Sequence, residues 1–341
     1  MTLGKGMMPM DSRYFFLGQR AATALLLVVA CILSQCRAFA QNTAVYSTGF
    51  EPTEGFNIDL PLTDQGGWMG VGSDSHKEYR GNGIVTNFIE GNGQHAFIGY
   101  EPLSGTNDTL NVWRPLNYDP IAAGTPVVRF SVSMAIFDST NAVYDCFRWS
   151  VYNNFNGGQR LFSIDFDNST LGINYILDSG DPVPTGFAFS PGGKYDLEVT
   201  MNFDENLWSA LLNGVLFVNA KPVTTVGSPL ILGDIDAVWV YGPYSNAPGN
   251  NFMVFDNYRV TAAVTAPLPF QLEGFGLDAN GDFSLRLTGE PGRHYSIDAT
   301  TDFVDWYALK TNNVGTDGAF DFVDTTAANY SRSFYRARLV Q

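Results

Sequence analysis

The chain has 341 residues, of which 45% are hydrophobic, so it is long and apolar enough to bury a sizeable core. It carries 19 basic against 34 acidic residues, a net charge of −15 at pH 7. This acidic balance argues against nucleic acid and anionic membrane surfaces as partners, because both carry charge of the same sign.

Residues 1–40 have the pattern of a signal peptide. Basic residues precede an apolar run of thirteen residues, Ala21–Leu33, which is too short to span a bilayer. The run is followed by Ala38-Phe39-Ala40, the small-x-small pattern of a cleavage site. We expect export to the cell surface or the medium, with no membrane insertion after cleavage at Gln41. Lipidation at Cys36 is the alternative, although Gln35 stands where a lipoprotein signal needs a small residue.

Cleavage would leave a strongly acidic chain without disulfides. It removes four of the 19 basic and one of the 34 acidic residues, leaving 15 and 33 and a net charge of −18. Cys31 and Cys36 are removed as well, so only Cys146 remains. Such an exported protein must be stabilised by core burial or by a metal ion.

Residues 41–261 predict a large all-β domain. Apolar runs alternate with Gly, Asn, Asp and Pro clusters, and no segment has sustained helical periodicity. The clearest pattern is a three-stranded meander at 195–219, in which Asn213-Gly214 supplies a tight hairpin turn. The other predicted strands are Val45–Glu51, Gly83–Ile89, His95–Tyr100, Val127–Ile136, Cys146–Tyr152, Arg160–Phe166, Gly172–Leu177, Ala237–Tyr241 and Phe252–Thr261.

Residues 262–269, small and uncharged with two prolines, predict a linker to a second domain. Six short strands then follow within residues 270–341, at a spacing typical of a small immunoglobulin-like or fibronectin-III-like β-sandwich. They are Phe270–Gly276, Phe283–Thr288, Tyr295–Ala299, Trp306–Thr311, Ala319–Val323 and Ser333–Val340.

Over residues 44–262 the chain resembles the concanavalin A-like (laminin-G/jelly-roll) superfamily of secreted bacterial proteins. The motifs that carry this resemblance are Gly49–Glu51, Gly66–Trp68, Leu212–Gly214 and Phe255–Val260. The last domain resembles the small β-sandwich that ends many exported proteins of environmental bacteria, through Tyr295–Ala299, Thr301–Phe303, Trp306 and Phe334–Ala337. The resemblance implies carbohydrate binding or a surface role, but the fold hosts lectins, glycosidases and structural modules alike.

The motifs for catalysis are weak. Glycosidases of this fold carry a Glu-x-Asp-x-x-Glu pattern on one strand, and the nearest approach here, residues 163–168, keeps Asp165 and Asp167 but has Ser163 and Asn168 in place of both glutamates. Asp234-Ile235-Asp236 is a still weaker match. The chain has no Gly-x-Ser-x-Gly motif, and its three histidines lack metal-ligand spacing. The sequence therefore favours a non-catalytic protein, without settling the question.

The resemblance also implies a structural calcium ion. Jelly-roll carbohydrate modules often hold calcium where the first and last strands meet, and Glu51 and Asp256 stand at the matching positions. The alternative is that both side chains cap strand ends or pair with Arg259.

Two groups of residues are candidates for a sugar-binding surface. Alternation places Tyr144, Arg148 and Tyr152 on one strand face, opposite an apolar face. We expect the first face to reach solvent, because burying an arginine without a partner costs several kcal/mol. The second group is Trp239, Tyr241 and Tyr244. Both groups could equally belong to the core, where Trp and Tyr often lie.

The sequence thus predicts an exported β-sandwich protein whose larger domain binds a polysaccharide or cell-surface glycan. A structural or adhesive surface protein without sugar specificity is the second interpretation. A glycoside hydrolase or polysaccharide lyase is the third, and clustered carboxylates with shifted pKa values would favour it.

Overall fold

The computed structural model describes residues 42–71, 81–91, 93–100, 109–154, 157–241, 249–265 and 270–340. The fold is all-β, with 55% strand and only short 3-10 helices, which include Pro52–Glu54, Leu62–Asp64 and Ala327–Asn329. None of the helices in these ranges is long and apolar enough to cross a membrane. The chain divides into two compact units at residues 265/266.

The first unit contains fifteen described strands in two antiparallel sheets. Their bounds are β1 Thr43–Thr48, β2 Met69–Val71, β3 Asn82–Thr86, β4 Gln94–Gly99, β5 Thr109–Trp113, β6 Val127–Phe137, β7 Cys146–Tyr152, β8 Arg160–Asp167, β9 Gly172–Leu177, β10 Val183–Ala188, β11 Lys194–Asn202, β12 Leu207–Leu212, β13 Val215–Pro222, β14 Asp234–Val240 and β15 Phe252–Ala263. The eight-stranded sheet has the order β13-β12-β11-β6-β15-β4-β3, with β1 also paired to β15. The seven-stranded sheet has the order β10-β9-β8-β7-β14-β5-β2.

The meander predicted from the sequence is confirmed in β11, β12 and β13. Asn213 and Gly214 form the second turn with φ angles of 50° and 77°, which asparagine and glycine adopt most readily. On β11, Leu197, Val199 and Met201 are buried and alternate with more exposed polar residues. The alternation thus fixes which face of this strand meets the core.

The core of the first unit lies between the two sheets. Trp149 of β7 is 2% exposed, and its ring lies 5.2 Å from that of Phe130 on β6 and 5.3 Å from that of Phe255 on β15. Each fully buried side chain of this kind stabilises the fold by about 1.5–3 kcal/mol. The packing of aromatic rings thus joins the two sheets.

Six strands form the second unit, as the sequence predicts. They are β16 Gln271–Leu277, β17 Phe283–Thr288, β18 His294–Thr300, β19 Tyr307–Asn313, β20 Ala319–Asp324 and β21 Phe334–Val340. The three-stranded sheets β16-β17-β20 and β19-β18-β21 enclose one small core that includes Leu287, Tyr295 and Ile297. Ala262 and Ala263, the first residues of the predicted linker, pair with Val128 and Val127 within β15.

Candidate functional site

The side of the seven-stranded sheet that faces away from the core carries mostly polar side chains, many of them buried, with Val238 between Arg148 and Asn111. On β7, Phe147, Trp149 and Val151 belong to the core, so the alternate residues Arg148, Ser150 and Tyr152 turn away from it. The same alternation holds on β5, β8 and β14. We call this side the polar face; it comprises Asn111, Arg148, Ser150, Tyr152, Ser163, Asp165, Asp234 and Asp236.

Arg148 and Asp165 form the central ion pair of the polar face. They lie opposite each other in the β7–β8 register, and Nε and Nη2 of Arg148 donate to the two carboxylate oxygens at 2.6 and 2.8 Å. The side chains are 19% and 7% exposed. Burial alone would lower the pKa of Arg148, but the hydrogen bonds and charge of Asp165 outweigh it and raise that pKa.

This ion pair changes the argument made from the sequence. Arg148 was expected to reach solvent because no partner was apparent, whereas its side chain is only 19% exposed and pairs with Asp165. The cost of burying an unpaired arginine therefore no longer argues that this face is exposed. The pair holds both side chains in a fixed position. A polar surface built this way is rigid, which reduces the entropic cost of binding a ligand.

Two carboxylates lie beside the ion pair on β14. Asp236 is 5% exposed, and its Oδ2 accepts a hydrogen bond from Nδ2 of Asn111 at 3.3 Å. Burial, followed by the neighbouring charge of Asp234, raises the pKa of Asp236 well above its usual value. Burial also raises the pKa of Asp234, to about 6. Two neighbouring carboxyl groups of this kind retain a proton at pH values where isolated aspartates have lost theirs.

Tyr152 lies at the same end of the polar face as Asp234. It lies opposite Asp234 in the β7–β14 register. Its pKa is raised, first by burial and then by the charge of Asp236. The phenol therefore stays protonated and can donate a hydrogen bond.

The residues of the glycosidase-like segment are engaged in other contacts. Asp165 is held by Arg148, and Asp167 accepts hydrogen bonds from Ser169 and Thr170. Burial of Asp167 is outweighed by these hydrogen bonds, which lower its pKa. A carboxyl group with a lowered pKa is a poor general acid near neutral pH, so Asp167 is poorly suited to that role.

The structure separates the two groups of predicted sugar-binding residues. Tyr144 is 43% exposed two residues before β7, and Arg148 and Tyr152 lie on the polar face. Trp239, by contrast, is fully buried, and its indole nitrogen donates to Asp145 Oδ2 at 2.9 Å. Tyr241 packs against the core 4.7 Å from the ring of Trp239.

Trp239 therefore does not offer its ring to a ligand, and the expectation for this residue is corrected. The physical reason is alternation: Trp239 shares the inward side of β14 with Ile235 and Ala237. Tyr244 lies outside the described residues.

Sequence reasoning missed Asp165 as the partner of Arg148, and it missed Asn111 entirely. The first could have been found, because residues 148 and 165 are equidistant from the Asn156-Gly157 dipeptide. A hairpin centred there pairs them directly. Asn111 lies on β5, a five-residue strand that the sequence did not predict.

Glu51 and Asp256, the predicted calcium ligands, approach one point beside Gly49. A Cβ atom on Gly49 would lie 3.7 Å from Oδ1 of Asp256 and 3.8 Å from Cγ of Glu51. Asp256 stands at an irregularity of β15, next to Asn257 with a φ angle of 52°. Glu51 and Asp256 thus both lie near Gly49, with the carboxylate of Glu51 directed toward Gly93 and Gln94.

The neighbouring groups offer oxygen ligands. Glu51 Oε1 accepts a hydrogen bond from the backbone N–H of Gln94 at 3.2 Å, and the buried Oε1 of Gln94 has no hydrogen-bond partner. Two carboxylates and an amide oxygen are the ligand type that calcium prefers. In the described ranges, no three His, Cys, Asp or Glu residues form a metal-binding group, so backbone carbonyls would have to complete the coordination.

Comparison with known proteins gives no family assignment. No family model matches the chain, and no curated protein matches it. Among solved structures the chain is similar to a sialidase (8% identity, TM-score 0.39), covering 64% of this chain but only 18% of that one. It is also similar to lectin II from Ulex europaeus (12% identity, TM-score 0.40, covering 61% and 97% of the two chains).

A third similar structure is the CBM2 module of the evolved Dit protein of Lactobacillus casei BL23 phage J-1. Its identity is 12% and its TM-score 0.41, and the match covers 67% of this chain and 99% of that one. The three similar structures thus include binding proteins and an enzyme, all at similarly low sequence identity. The values are too low to carry an argument about function, which must come from the site itself.

Proposed function

We propose that the protein is an exported, non-catalytic glycan-binding protein and that the polar face of the larger unit contacts the sugar. The observation that carries this proposal is the ring of Tyr144, which is 43% exposed two residues before β7, the strand that carries the polar Arg148 and Tyr152. Sugar recognition requires fixed hydrogen-bonding groups beside an aromatic ring, and this arrangement provides both. The ligand would be a polysaccharide or a cell-surface glycan.

A glycan array with the purified protein tests this proposal. We expect Tyr144→Ala to lose most of the binding to the glycans that the wild type recognises. The matched control is Tyr330→Ala, since Tyr330 is similarly exposed at 47% but lies in the second unit. If the wild type binds no glycan, the structural or adhesive interpretation replaces this one.

The Asp234–Asp236 pair favours a second candidate function, that of a glycoside hydrolase or polysaccharide lyase. A carboxyl group with a pKa of about 6 can donate a proton near neutral pH, and its neighbour could accept one. Release of reducing ends or unsaturated sugars from a polysaccharide panel, lost in Asp234→Asn, would support it. Binding of a polysaccharide without any such release would favour the lectin-like function instead.

Export and calcium binding belong to the same proposal. The apolar run Ala21–Leu33 and the site Ala38-Phe39-Ala40 support secretion. N-terminal sequencing of secreted protein should begin at or next to Gln41, and a mature protein that retains Arg20 would contradict the proposal. Glu51, Asp256 and Gln94 would hold the calcium ion, whose role would be structural.

A further inference from the structure

Four aromatic side chains form an exposed cluster on the outward side of the eight-stranded sheet. Phe137 of β6 and Phe252 of β15 are register partners, and their rings stack at 4.9 Å. The ring of Phe88 stands edge-on to both at 5.3 Å, and that of Tyr100 stands edge-on to Phe252 at 5.8 Å. Phe88 is 42% exposed and Tyr100 is 53% exposed. We call Phe88, Tyr100, Phe137 and Phe252 the aromatic platform.

The chain holds Phe88 in this position by burying its neighbour. Ile89 is 2% exposed and packs with Phe97 and Val254, while its backbone N–H donates to Nε2 of the buried His95 at 3.2 Å. The loop is thus anchored by Ile89, and the ring of Phe88 is left on the surface. An apolar ring held exposed by a firmly anchored loop indicates a binding surface more than a packing defect.

Tyr100 is held by a close approach of two backbones. Gly99 lies so near to β15 that a Cβ atom there would be 2.6 Å from the carbonyl oxygen of Asn251. The backbone N–H of Tyr100 donates to that same oxygen at 3.0 Å. Tyr100 has a φ angle of 76°, in the left-handed region that a bulky side chain rarely occupies. Strained backbone of this kind clusters at functional sites, and here it places an aromatic ring beside Phe252.

Neutral hydrogen-bonding groups border the aromatic platform. We call them the platform rim; it comprises Ser139, Thr140, Asn141 and Asn250. Asn250 fixes this rim, because its Oδ1 accepts from Ser139 Oγ at 2.8 Å and its Nδ2 donates to Thr140 Oγ1 at 2.6 Å. The rim adjoins the platform along the chain, since Ser139 follows Phe137 by two residues and Asn250 precedes Phe252 by two.

The charges around the aromatic platform restrict its ligand. Residues 87–91, 137–143 and 249–252 include the acidic Glu90 and Asp138 but no lysine or arginine. These three segments offer an anionic ligand no partner; on the same face, β11 carries Lys194 opposite Ala135. An apolar partner could lie on the rings but would form no hydrogen bonds with the platform rim, whose groups bond to one another.

We propose that the aromatic platform is a second glycan-binding site, which takes the ring of a neutral hexose or pentose within a polysaccharide. The C–H face of such a ring would lie on Phe88 and Tyr100, and its hydroxyls would meet the platform rim. The two sites are independent, because the polar face lies on the other sheet and shares no residue with the platform. Together they would let one molecule contact two chains of a polysaccharide.

Affinity electrophoresis tests this proposal, with galactomannan, xylan or mixed-linkage β-glucan as neutral polysaccharides and alginate as the anionic one. The key variant is Phe88→Leu with Tyr100→Leu, which keeps apolar side chains but removes both exposed rings. We expect at least about a tenfold weaker interaction with a neutral polysaccharide that retards the wild type. Tyr100→Phe should bind the neutral polysaccharide as the wild type does. The aromatic platform of either protein should not bind alginate.

Further variants distinguish sugar binding by the platform from misfolding and from self-association. Phe303→Leu, at a residue 55% exposed in the second unit, is the matched control and should leave binding unchanged. Phe88→Leu alone should still weaken binding, which covers the case in which the double variant does not fold. The proposal is overturned if no neutral polysaccharide binds the wild type, if Tyr144→Ala alone removes all binding, or if the platform variants change only self-association in sedimentation.

Discussion

Arg148 and Asp165 show how a charged pair can lie inside a sheet face. Each charge would be costly to bury alone, and the bidentate geometry offsets that cost. The pair is asymmetric, since the side chain of Asp165 is less exposed than that of Arg148. Removing the arginine would therefore leave a carboxylate almost without water or partner.

This asymmetry predicts that Arg148→Ala destabilises the first unit by about 3 kcal/mol, because it leaves Asp165 buried and unpaired. From the sequence alone, a nearly intact fold would be expected for this variant. The measurement is the free energy of unfolding in urea. Arg129→Ala is the matched control: its pair with Glu198 is exposed, so the loss should stay below about 1 kcal/mol. Equal losses in the two variants would mean that the central pair is solvated.

The Asp234–Asp236 pair predicts a pH dependence with a definite sign. Because burial raises both pKa values, the folded state binds protons more tightly than the unfolded chain does. The resulting stabilisation is present below the unfolded pKa near 4 and is lost as the pH rises through about 6. Asp236→Asn should therefore become steadily more stable relative to the wild type as the pH rises from 4 to 8.

Urea unfolding at pH 4, 6 and 8 measures this difference. Asp167→Asn is the control of opposite sign. Its pKa is lowered in the folded protein, so its carboxylate stabilises the fold above the unfolded pKa and that contribution is lost as the pH falls. A difference between the wild type and Asp236→Asn that stays constant over this range would show that the two carboxyl groups titrate normally.

At the level of elements, strand β1 is held to the molecule through β15. It pairs with that strand from Thr43↔Ala262 to Thr48↔Tyr258, and Glu51 follows three residues after its end. A cation between Glu51 and Asp256 would fasten the end of the first strand to the last strand of the unit. Calcium binding at this position should therefore stabilise the first unit.

If calcium binds there, excess calcium should raise the melting temperature of the first unit by about 5 °C or more, and a chelator should remove that gain. Glu51→Gln should abolish the difference between the two conditions. Glu198→Gln is the matched control, because Glu198 lies on β11 and pairs with the exposed Arg129. It should leave the effect of calcium on the melting temperature unchanged. A melting temperature that the chelator does not change would count against the calcium site.

Elements with strong alternation or clear turns could be predicted from the sequence, and pairings between distant strands could not. The meander around Asn213-Gly214 was predicted correctly because all its information is local. Strand β10 was missed because Pro184 and Gly186 disfavour a strand, yet both are tolerated at the edge of a sheet. Trp239 was assigned to a surface because the sequence does not say which side of β14 faces the core.

The aromatic platform is a second feature that depends on pairings between distant strands. Phe88 and Phe252 are 164 positions apart, and only the order of β4, β15 and β6 within one sheet brings their rings together. No local pattern contains that order. Candidate sites built within one strand, such as Arg148 and Tyr152, are accessible to sequence reasoning, whereas sites assembled across strands need the topology.

At the level of the whole molecule, stability rests on two separate cores. The larger unit encloses its core between sheets of eight and seven strands, and the smaller one between two sheets of three strands. The one cysteine within the described residues, Cys146, is free, so no disulfide reinforces these ranges. Each unit must therefore bury enough apolar surface to stay folded by itself.

Two independent cores predict that the chain can be divided without unfolding either part. Residues 264–269 are small or apolar and uncharged, and Val264, just after the end of β15, is 48% exposed. Elastase under limiting conditions should cut there first, and not at Ala262 or Ala263, whose backbones are paired within β15. The two fragments should each unfold cooperatively in calorimetry, at the temperatures seen for the two transitions of the intact protein. Digestion of either half before cleavage at the junction, or a fragment that melts without a transition, would show that the units depend on each other.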